Sequence, residues 1–281
     1  MKPIFVMARA GSGGGGGGGG GYNAETLAWI AGISGLGGSV TTQEKDWADA
    51  LIVALQGETY NAKVVWMAPF IGSNIKAARM PLRDALSVGA MSSFGSSPFV
   101  DADCGNSTGI QNPTEKDAYL GTGVPLNWNL ANGYKSGYGW WELNIGFGSN
   151  VEPMGAYNAA NGARFVLDLR SSFERFRYGN TTGSQAGPAT SASNGHYYGQ
   201  YDGTDTRIYL DGSDLGSPGA SGFADSIDNN EIFVMGCNSG TDTPWKGQGG
   251  CAYITDGTMT SGEIAAFHTL LDTYLITPTG R

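Results

Sequence analysis

Charged side chains are scarce in this sequence. Lys, Arg, Asp and Glu make up 15% of its 281 residues, where an ordinary globular protein has about 25%. Acidic residues outnumber basic ones 25 to 16, which gives a net charge of −9. Because an acidic chain is repelled by phosphate backbones and anionic lipid, we expect neither nucleic acid nor a membrane surface as a partner. No apolar run reaches the roughly 20 residues that cross a bilayer, so membrane insertion is not expected either.

Cysteine and histidine are also rare, with three and two residues. Three cysteines are too few for a disulfide scaffold, and no Cys-x-x-Cys or His/Cys cluster suggests a zinc site. The simplest interpretation is buried thiols, although pairing of the flanking strands could bring Cys237 and Cys251 close enough for a bridge. The apolar stretch within residues 1–10 is too short for a signal peptide, so we expect no secretion by the general route.

Glycine is the residue in excess, with 47 of 281 positions, and residues 13–21 are an unbroken glycine run. Glycine loses more conformational entropy on ordering than any other residue, so such a run acts as a tether unless something packs against it. We therefore predict that residues 1–21 form a docking arm and polyglycine tether. The residues expected to dock on a particle or on other copies of the chain are Ile4, Phe5, Gly13, Gly17 and Gly21.

Residues 22–60 predict a helical hairpin. Asn23 is suited to cap a first helix, and Thr41 with Glu44 has the spacing of a capping box for a second. Apolar residues then recur at helical spacing, and Gly57 fits the end of that helix. We interpret the hairpin as a spacer that holds the following domain outward.

Residues 61–281 read as one mainly-β domain. From about residue 98, short apolar runs alternate with clusters of Gly, Asn, Ser and Asp, a texture typical of a β-sandwich or jelly roll. Candidate strands are residues 140–147, 164–169, 173–178, 196–201, 206–210, 231–237 and 251–254, with a weaker one at 64–67. A second capping box, Thr260 with Glu263, predicts a terminal amphipathic helix.

Several of these segments resemble one fold family. Residues 202–212 have the strand followed by an Asp-Gly turn that is found in laminin-G and concanavalin A-like jelly rolls. Residues 232–236, the strand at 252–257 and the helix start at 260–264 are similar to the end of the same pattern. The resemblance implies a concanavalin-like jelly-roll β-sandwich with an N-terminal helical hairpin and a C-terminal helix. Sugar binding, protein binding, hydrolysis and purely structural roles all occur on this fold, so it does not give the function.

The N-terminal motifs are similar to tailed-bacteriophage structural proteins. In those proteins a glycine run, a Tyr-Asn start and a Thr-Thr-x-Glu-Lys turn precede a jelly roll, and here these are residues 21–23 and 41–45. The resemblance implies a virion protein, such as a fibre, a spike or a capsid or tail decoration, whose jelly roll attaches to host-surface glycans. Its partners would be other virion proteins and copies of itself, in a closed oligomer such as a trimer. The alternatives are a free carbohydrate-binding module or, less favoured, a polysaccharide-degrading enzyme.

The carboxylates and histidines argue against enzyme activity. Concanavalin-like glucanases, which the domain resembles, place several carboxylates along one strand, whereas residues 141–146 carry only Glu142, and glycoside hydrolysis needs a pair. His196 and His268 have no Ser or Cys elbow beside them. We therefore predict a protein that is not an enzyme and needs no cofactor. A structural calcium site stays open, with Asp101, Asp103, Asp225 and Asp228 as candidate ligands.

Sugar binding calls for flat aromatic faces beside polar side chains. The candidate carbohydrate-binding residues are Trp128, Tyr201, Asp202, Asn238 and Trp245. Trp245, between Pro244 and Lys246, is the best candidate for an exposed ring. Trp140 and Trp141 are neighbours in one predicted strand and point to opposite faces, so we expect at most one of them in the core.

Overall fold

Two antiparallel β-sheets packed face to face make up most of this protein, which we describe from a computed structural model. The described residues are 21–112, 117–125, 127–129, 132–145, 151–157, 164–170, 173–179, 185–186, 193–216, 219–220, 231–236 and 245–281. The arrangement confirms the predicted mainly-β jelly-roll sandwich with helices at both ends.

Seventeen strands lie among the described residues; eight overlap the predicted segments, and nine, most of them short, were not predicted. In chain order they are β1 (Val64–Ala68), β2 (Arg83–Asp84), β3 (Ser92–Phe94), β4 (Cys104–Gly105), β5 (Gly109–Gln111), β6 (Tyr119–Pro125), β7 (Ser136–Ile145), β8 (Val151–Tyr157), β9 (Arg164–Arg170), β10 (Phe173–Gly179), β11 (Gln185–Ala186), β12 (Gly195–Tyr201), β13 (Asp205–Leu210), β14 (Ser213–Asp214), β15 (Gly219–Ala220), β16 (Glu231–Val234) and β17 (Gly247–Asp256).

Among the described strands, the first sheet (sheet A) runs in the order β14-β13-β12-β7-β17-β1-β2, with β15 beside β13 and the β4–β5 hairpin beside β17. The second sheet (sheet B) has the order β11-β10-β9-β8-β16-β6-β3. The predicted tight turn joins β13 to β14: Asp211 and Gly212 have φ values of 49° and 80°. Positive φ at both central residues is the backbone that an Asp-Gly hairpin turn adopts.

The helices begin at the predicted caps. The Asn23 side chain accepts a bond from the Glu25 N–H at the start of α1 (Ala24–Gly35), and the Thr41 box opens α2 (Thr42–Gln56). A short α3 (Ile75–Ala78) follows β1. The Thr260 box opens α4 (Ser261–Leu271), and a π-helical turn (Asp272–Ile276) leads into α5 (Thr277–Thr279). None of the helices in the described ranges is long and apolar enough to cross a bilayer.

A hydrophobic core fills the space between the sheets. Alternate residues of each strand point into it, as the period of two requires. Sheet A contributes Trp66, Tyr138, Trp140, Tyr197, Ile208, Ala252 and Ile254, and sheet B contributes Leu120, Val124, Met154, Leu167, Leu169, Phe176, Ile232 and Val234.

A second core lies on the other face of sheet A, under the helices. It joins side chains of α1, α2 and α4 to the outward residues of sheet A, including Trp29, Leu51, Phe267, Tyr198 and Tyr253. The hairpin is therefore part of the packed body, and the interpretation of it as a spacer is wrong.

Because helices cover the outer face of sheet A, two adjacent tryptophans of β7 are both buried. Trp140 is fully buried between the sheets, and Trp141 is 7% exposed beneath the helices. They point to opposite faces as predicted, but the expectation that at most one is buried is wrong because both faces of this sheet are covered.

Candidate functional site

Trp245 is not the exposed sugar platform that its polar neighbours predict. The side chain is completely buried and packs edge-to-face on Trp140, with ring centroids 5.2 Å apart. Its indole N–H donates to Glu142 Oε2 at 3.2 Å, and its carbonyl accepts from Asn112 Nδ2 at 2.7 Å. These two hydrogen bonds, to residues far away in the sequence, satisfy the indole N–H and the carbonyl oxygen and hold Trp245 inside the sandwich.

The other predicted sugar-binding residues do not form one site with it. Tyr201 is 6% exposed and belongs to the inter-sheet core, whereas Asp202 is exposed and its Oδ1 accepts from the Thr204 and Asp205 N–H groups. Asp202 therefore shapes the turn between β12 and β13. Trp128 is half-buried against the inter-sheet core.

These residues and Trp245 lie at opposite ends of sheet A. Tyr201 pairs with Ser136 at the first residue of β7, and Gly247 pairs with Ile145 at its last. A strand of that length spans roughly 30 Å. Asn238 and the predicted docking residues Ile4, Phe5, Gly13 and Gly17 lie outside the described residues, and Gly21 is exposed.

The candidate calcium ligands have structural partners where they are described. Asp101 Oδ1 accepts from the Ile75 N–H at 3.0 Å, and Asp103 Oδ2 accepts from the Val100 N–H at 2.8 Å. Asp225 and Asp228 lie outside the described residues. Within the described part of the chain, no three His, Cys, Asp or Glu side chains are grouped to hold a metal ion.

Cys251 is buried with a free thiol in this structure, whereas Cys237 is outside the described ranges. Cys104 is partly exposed, and its Sγ lies 3.9 Å from the Val100 carbonyl oxygen. The buried-thiol interpretation therefore fits Cys251.

Glu142, the carboxylate that a hydrolase would use, is buried at the far end of β7. It is 1% exposed, and its Oε2 accepts both the Trp140 indole at 3.0 Å and the Trp245 indole. Backbone N–H groups of Gln248 and Asn144 also bond to it. Burial raises the pKa of Glu142 to about 8, against the opposing effect of these donors. A substrate has no access to this carboxyl group in this conformation.

A second buried ionisable group lies on the helix side of sheet A. His196 is 1% exposed, its Nε2 is 2.6 Å from the Tyr253 hydroxyl, and its ring is stacked with Trp141 and His268. Burial, with the nearby His268, lowers the pKa of His196 to about 3. His268 is itself a boundary residue of α4 with a 24% exposed side chain.

An aromatic cluster occupies the outer face of sheet B, and the described helices α1, α2 and α4 pack on sheet A instead. We call Phe94, Tyr119 and Phe233 the aromatic platform. Phe94 and Tyr119 are register partners with nearly parallel rings, 7° apart in plane, and both contact Phe233 edge-on. Their chain neighbours Leu120 and Val234 point into the inter-sheet core, so the platform faces outward. Phe94 is 36% exposed and Phe233, beneath it, is 4% exposed.

A glycine makes room for a carboxylate beside this platform. A Cβ on Gly121 would lie 2.4 Å from Glu231 Oε1 and 2.7 Å from Phe94 Cε2, so ring and carboxylate meet over this residue. Glu231 Oε2 accepts from the Gly123 N–H at 2.7 Å. Oε1 has no hydrogen-bond partner among the described residues and remains an available acceptor.

Further polar groups follow Phe94 along the chain. The exposed Ser96 donates its N–H and its hydroxyl to Asp117 Oδ2, at 3.0 and 2.8 Å. These two bonds lower the pKa of Asp117, so it is ionised near neutral pH. The exposed Phe94 ring of the aromatic platform thus has carboxylate and hydroxyl groups around it, from Glu231 and from Ser96 and Asp117. A pyranose-binding site requires such a combination of an aromatic face and polar groups.

No protein-family model and no curated protein sequence matches this chain. Among solved structures, it is similar to a Trypanosoma rangeli sialidase in complex with 2,3-difluorosialic acid, with a TM-score of 0.51 at 15% identity over 83% of this chain and 38% of that one. It is also similar to a mutant of that sialidase displaying trans-sialidase activity, with a TM-score of 0.53 at 14% identity over 76% of this chain and 34% of that one. The chain therefore matches little more than a third of the sialidase, and the likeness shows a shared fold alone.

Proposed function

We propose that this protein binds carbohydrate through the aromatic platform on the outer face of sheet B. The observation that carries the proposal is the exposed ring of Phe94 beside the free Oε1 of Glu231. An apolar ring face can stack on the C–H face of a sugar while the carboxylate accepts a hydrogen bond from a sugar hydroxyl group. The fold shared with part of a sialidase agrees with such a role without establishing it.

The wider role that we propose is attachment of a phage-like particle to host-surface glycans. Its support is the order of N-terminal motifs that resemble tailed-phage structural proteins, together with the polyglycine tether. A particle displays many copies, so weak single sites would add up to stable attachment. A free carbohydrate-binding module would use the same platform without a particle. We propose binding without hydrolysis, because Glu142 is enclosed by Trp140 and Trp245.

Replacing Phe94 with alanine is expected to weaken glycan binding about tenfold, the effect of losing roughly 1.4 kcal/mol of stacking. The measurement is binding of the full chain, immobilised at high density, to an array of bacterial surface polysaccharides. Leu27→Ala is the matched control, since Leu27 is 47% exposed on α1, on the opposite side of the molecule.

Three results would count against these proposals. If Phe94→Ala and Leu27→Ala bind as well as the wild type, the site lies elsewhere. If no polysaccharide binds even at high density, the sandwich is a structural building block. Release of reducing ends from a bound polysaccharide would contradict binding without hydrolysis.

A further inference from the structure

A groove of about 420 Å³ opens between α1 and the β2 edge of sheet A. Its lining includes Trp29, Val64 and Leu82 at the floor and Ala28, Ala62 and Ala85 at the rim. The floor residues are buried and the three alanines are exposed. The groove is therefore mostly apolar, of a size typical of binding pockets, and lies on the face away from the aromatic platform.

An ion pair closes one side of the groove. Arg83 donates to both carboxylate oxygens of Glu25, at 2.9 and 2.7 Å, and its Nη1 also bonds to Asn61. The hydrogen bonds from Arg83 and Gln56 outweigh the effect of burial and lower the pKa of Glu25, so the pair is charged. Since Arg83 and Glu25 cancel, Asp84 leaves the groove with a net negative charge.

We infer that residues 4–7 of the same chain occupy this groove. These residues are Ile4, Phe5, Val6 and Met7, the apolar part of the N-terminal arm. Burying two or three such side chains on an apolar floor would stabilise the docked arm by removing apolar surface from water.

The length of the tether favours the groove of the same chain over that of a neighbour. Residues 11–21 are glycine except for Ser12, a composition and length for which the random-coil relation gives a root-mean-square span of about 18 Å. Trp29 follows Gly21 by eight residues, nearly all of them in or next to α1. At the helical rise of about 1.5 Å per residue, the groove begins roughly 12 Å from the end of the tether. A tether whose span is close to the separation of its ends gives a high effective concentration.

Charge supports the same occupant. The arm contains Lys2 and Arg9 and no acidic residue, so it carries +2 in a chain of net −9, leaving −11 on the rest. Lys2 and Arg9 flank the apolar residues on both sides, and Asp84 is the acidic residue of the groove whose charge Arg83 does not cancel. A negative charge beside an apolar groove favours an apolar segment with flanking cations.

Methyl spectra of the full chain with 13C-labelled methionine test this inference. Met80 lines the groove, Met7 belongs to the arm, and Met91 is buried in the inter-sheet core as an internal reference. The double substitution Ile4→Ser with Phe5→Ser is expected to shift the Met80 methyl signal and leave Met91 unchanged. The two substitutions change none of the described residues of the two cores, and an unshifted Met91 signal reports that the variant retains its fold.

A reciprocal variant probes the groove. Ala28→Lys places a positive charge at the rim and is expected to shift the Met7 signal, whereas Ala50→Lys, the same change at an exposed position of α2, leaves Met7 unchanged. An unmoved Met80 in the arm variant would overturn the inference. The inference would also be overturned if the Met80 shift disappeared on dilution over the range in which the measured mass falls from dimer to monomer. The arm would then come from a second copy.

Discussion

The Glu142→Gln variant is expected to keep its stability between pH 6.5 and 8, where the wild-type protein should lose about 2 kcal/mol of unfolding free energy. Burial raises the pKa of Glu142 from 4.5 to about 8, so the folded protein retains a proton that the unfolded chain releases. This contribution is complete below the unfolded pKa and is lost as the pH rises to the folded pKa. The slope is about 1.4 kcal/mol per pH unit.

His196 produces the opposite dependence at acid pH. Its pKa falls from 6.5 to about 3 on folding, so the unfolded chain binds a proton that the folded protein excludes. The stability from this group is complete above pH 6.5 and is lost as the pH falls towards 3. Between pH 4.5 and 6.5 the slopes of Glu142 and His196 have opposite signs and cancel. These two groups alone therefore predict a plateau in that range with a falling limb on either side.

Urea unfolding of the wild type, Glu142→Gln and His196→Phe at intervals from pH 3.5 to 8 separates the two limbs. The first variant should lose the alkaline limb and keep the acid one, and the second should do the reverse. His196→Phe will also be less stable throughout, since the Tyr253 hydroxyl loses its partner, so the slope and not the level is the readout. An alkaline limb that is the same in wild type and Glu142→Gln would mean that the N–H donors keep the folded carboxylate ionised.

Local sequence patterns predicted eight of the seventeen strands among the described residues, those with a clear apolar run between turn residues. The period of two in residues 164–170 and the Asp-Gly pair at 211–212 both correspond to observed structure. The capping boxes at Thr41 and Thr260 likewise mark the starts of α2 and α4. The turn and the two capping boxes are made by contacts within four residues, so the sequence window contains them.

The burial of Trp141 and Trp245 depends on contacts far along the chain. Trp245 is buried because its indole N–H donates a hydrogen bond to Glu142, 103 residues earlier in the chain. Trp141 is buried because α4 returns over sheet A, which places His268 on its ring. No local pattern around either tryptophan contains this information.

The aromatic platform was missed for the same reason. Phe94 lies among serines in a three-residue edge strand without periodicity, and its partners Tyr119 and Phe233 follow 25 and 139 residues later. The one local signal is an aromatic residue between Ser93 and Gly95, a setting in which a large ring has few neighbours to cover it.

Arg281→Met is expected to destabilise the fold by about 3 kcal/mol, which lowers the melting temperature by roughly 5–10 °C. The guanidinium of Arg281 donates to four backbone carbonyls: Asn106, Pro69, Gly250 and Phe70, at 2.6, 3.0, 2.8 and 2.8 Å. These carbonyls belong to the β4–β5 turn, the segment after β1 and strand β17, so one side chain ties three segments to the end of α5. Methionine keeps the apolar stem but ends short of the guanidinium position, so it leaves the four acceptors without donors.

Arg207→Met is the matched control, because Arg207 is 40% exposed and its one ion pair, with Asp214 at 2.8 Å, lies at the surface. Exposed pairs contribute about 0–1 kcal/mol, so this variant should melt within about 2 °C of the wild type. Arg281→Lys should be intermediate, since an ammonium group keeps the charge but cannot reach acceptors placed around a planar guanidinium. If Arg281→Met and Arg207→Met have the same melting temperature, water must satisfy the four carbonyls, and the guanidinium is not what joins these segments.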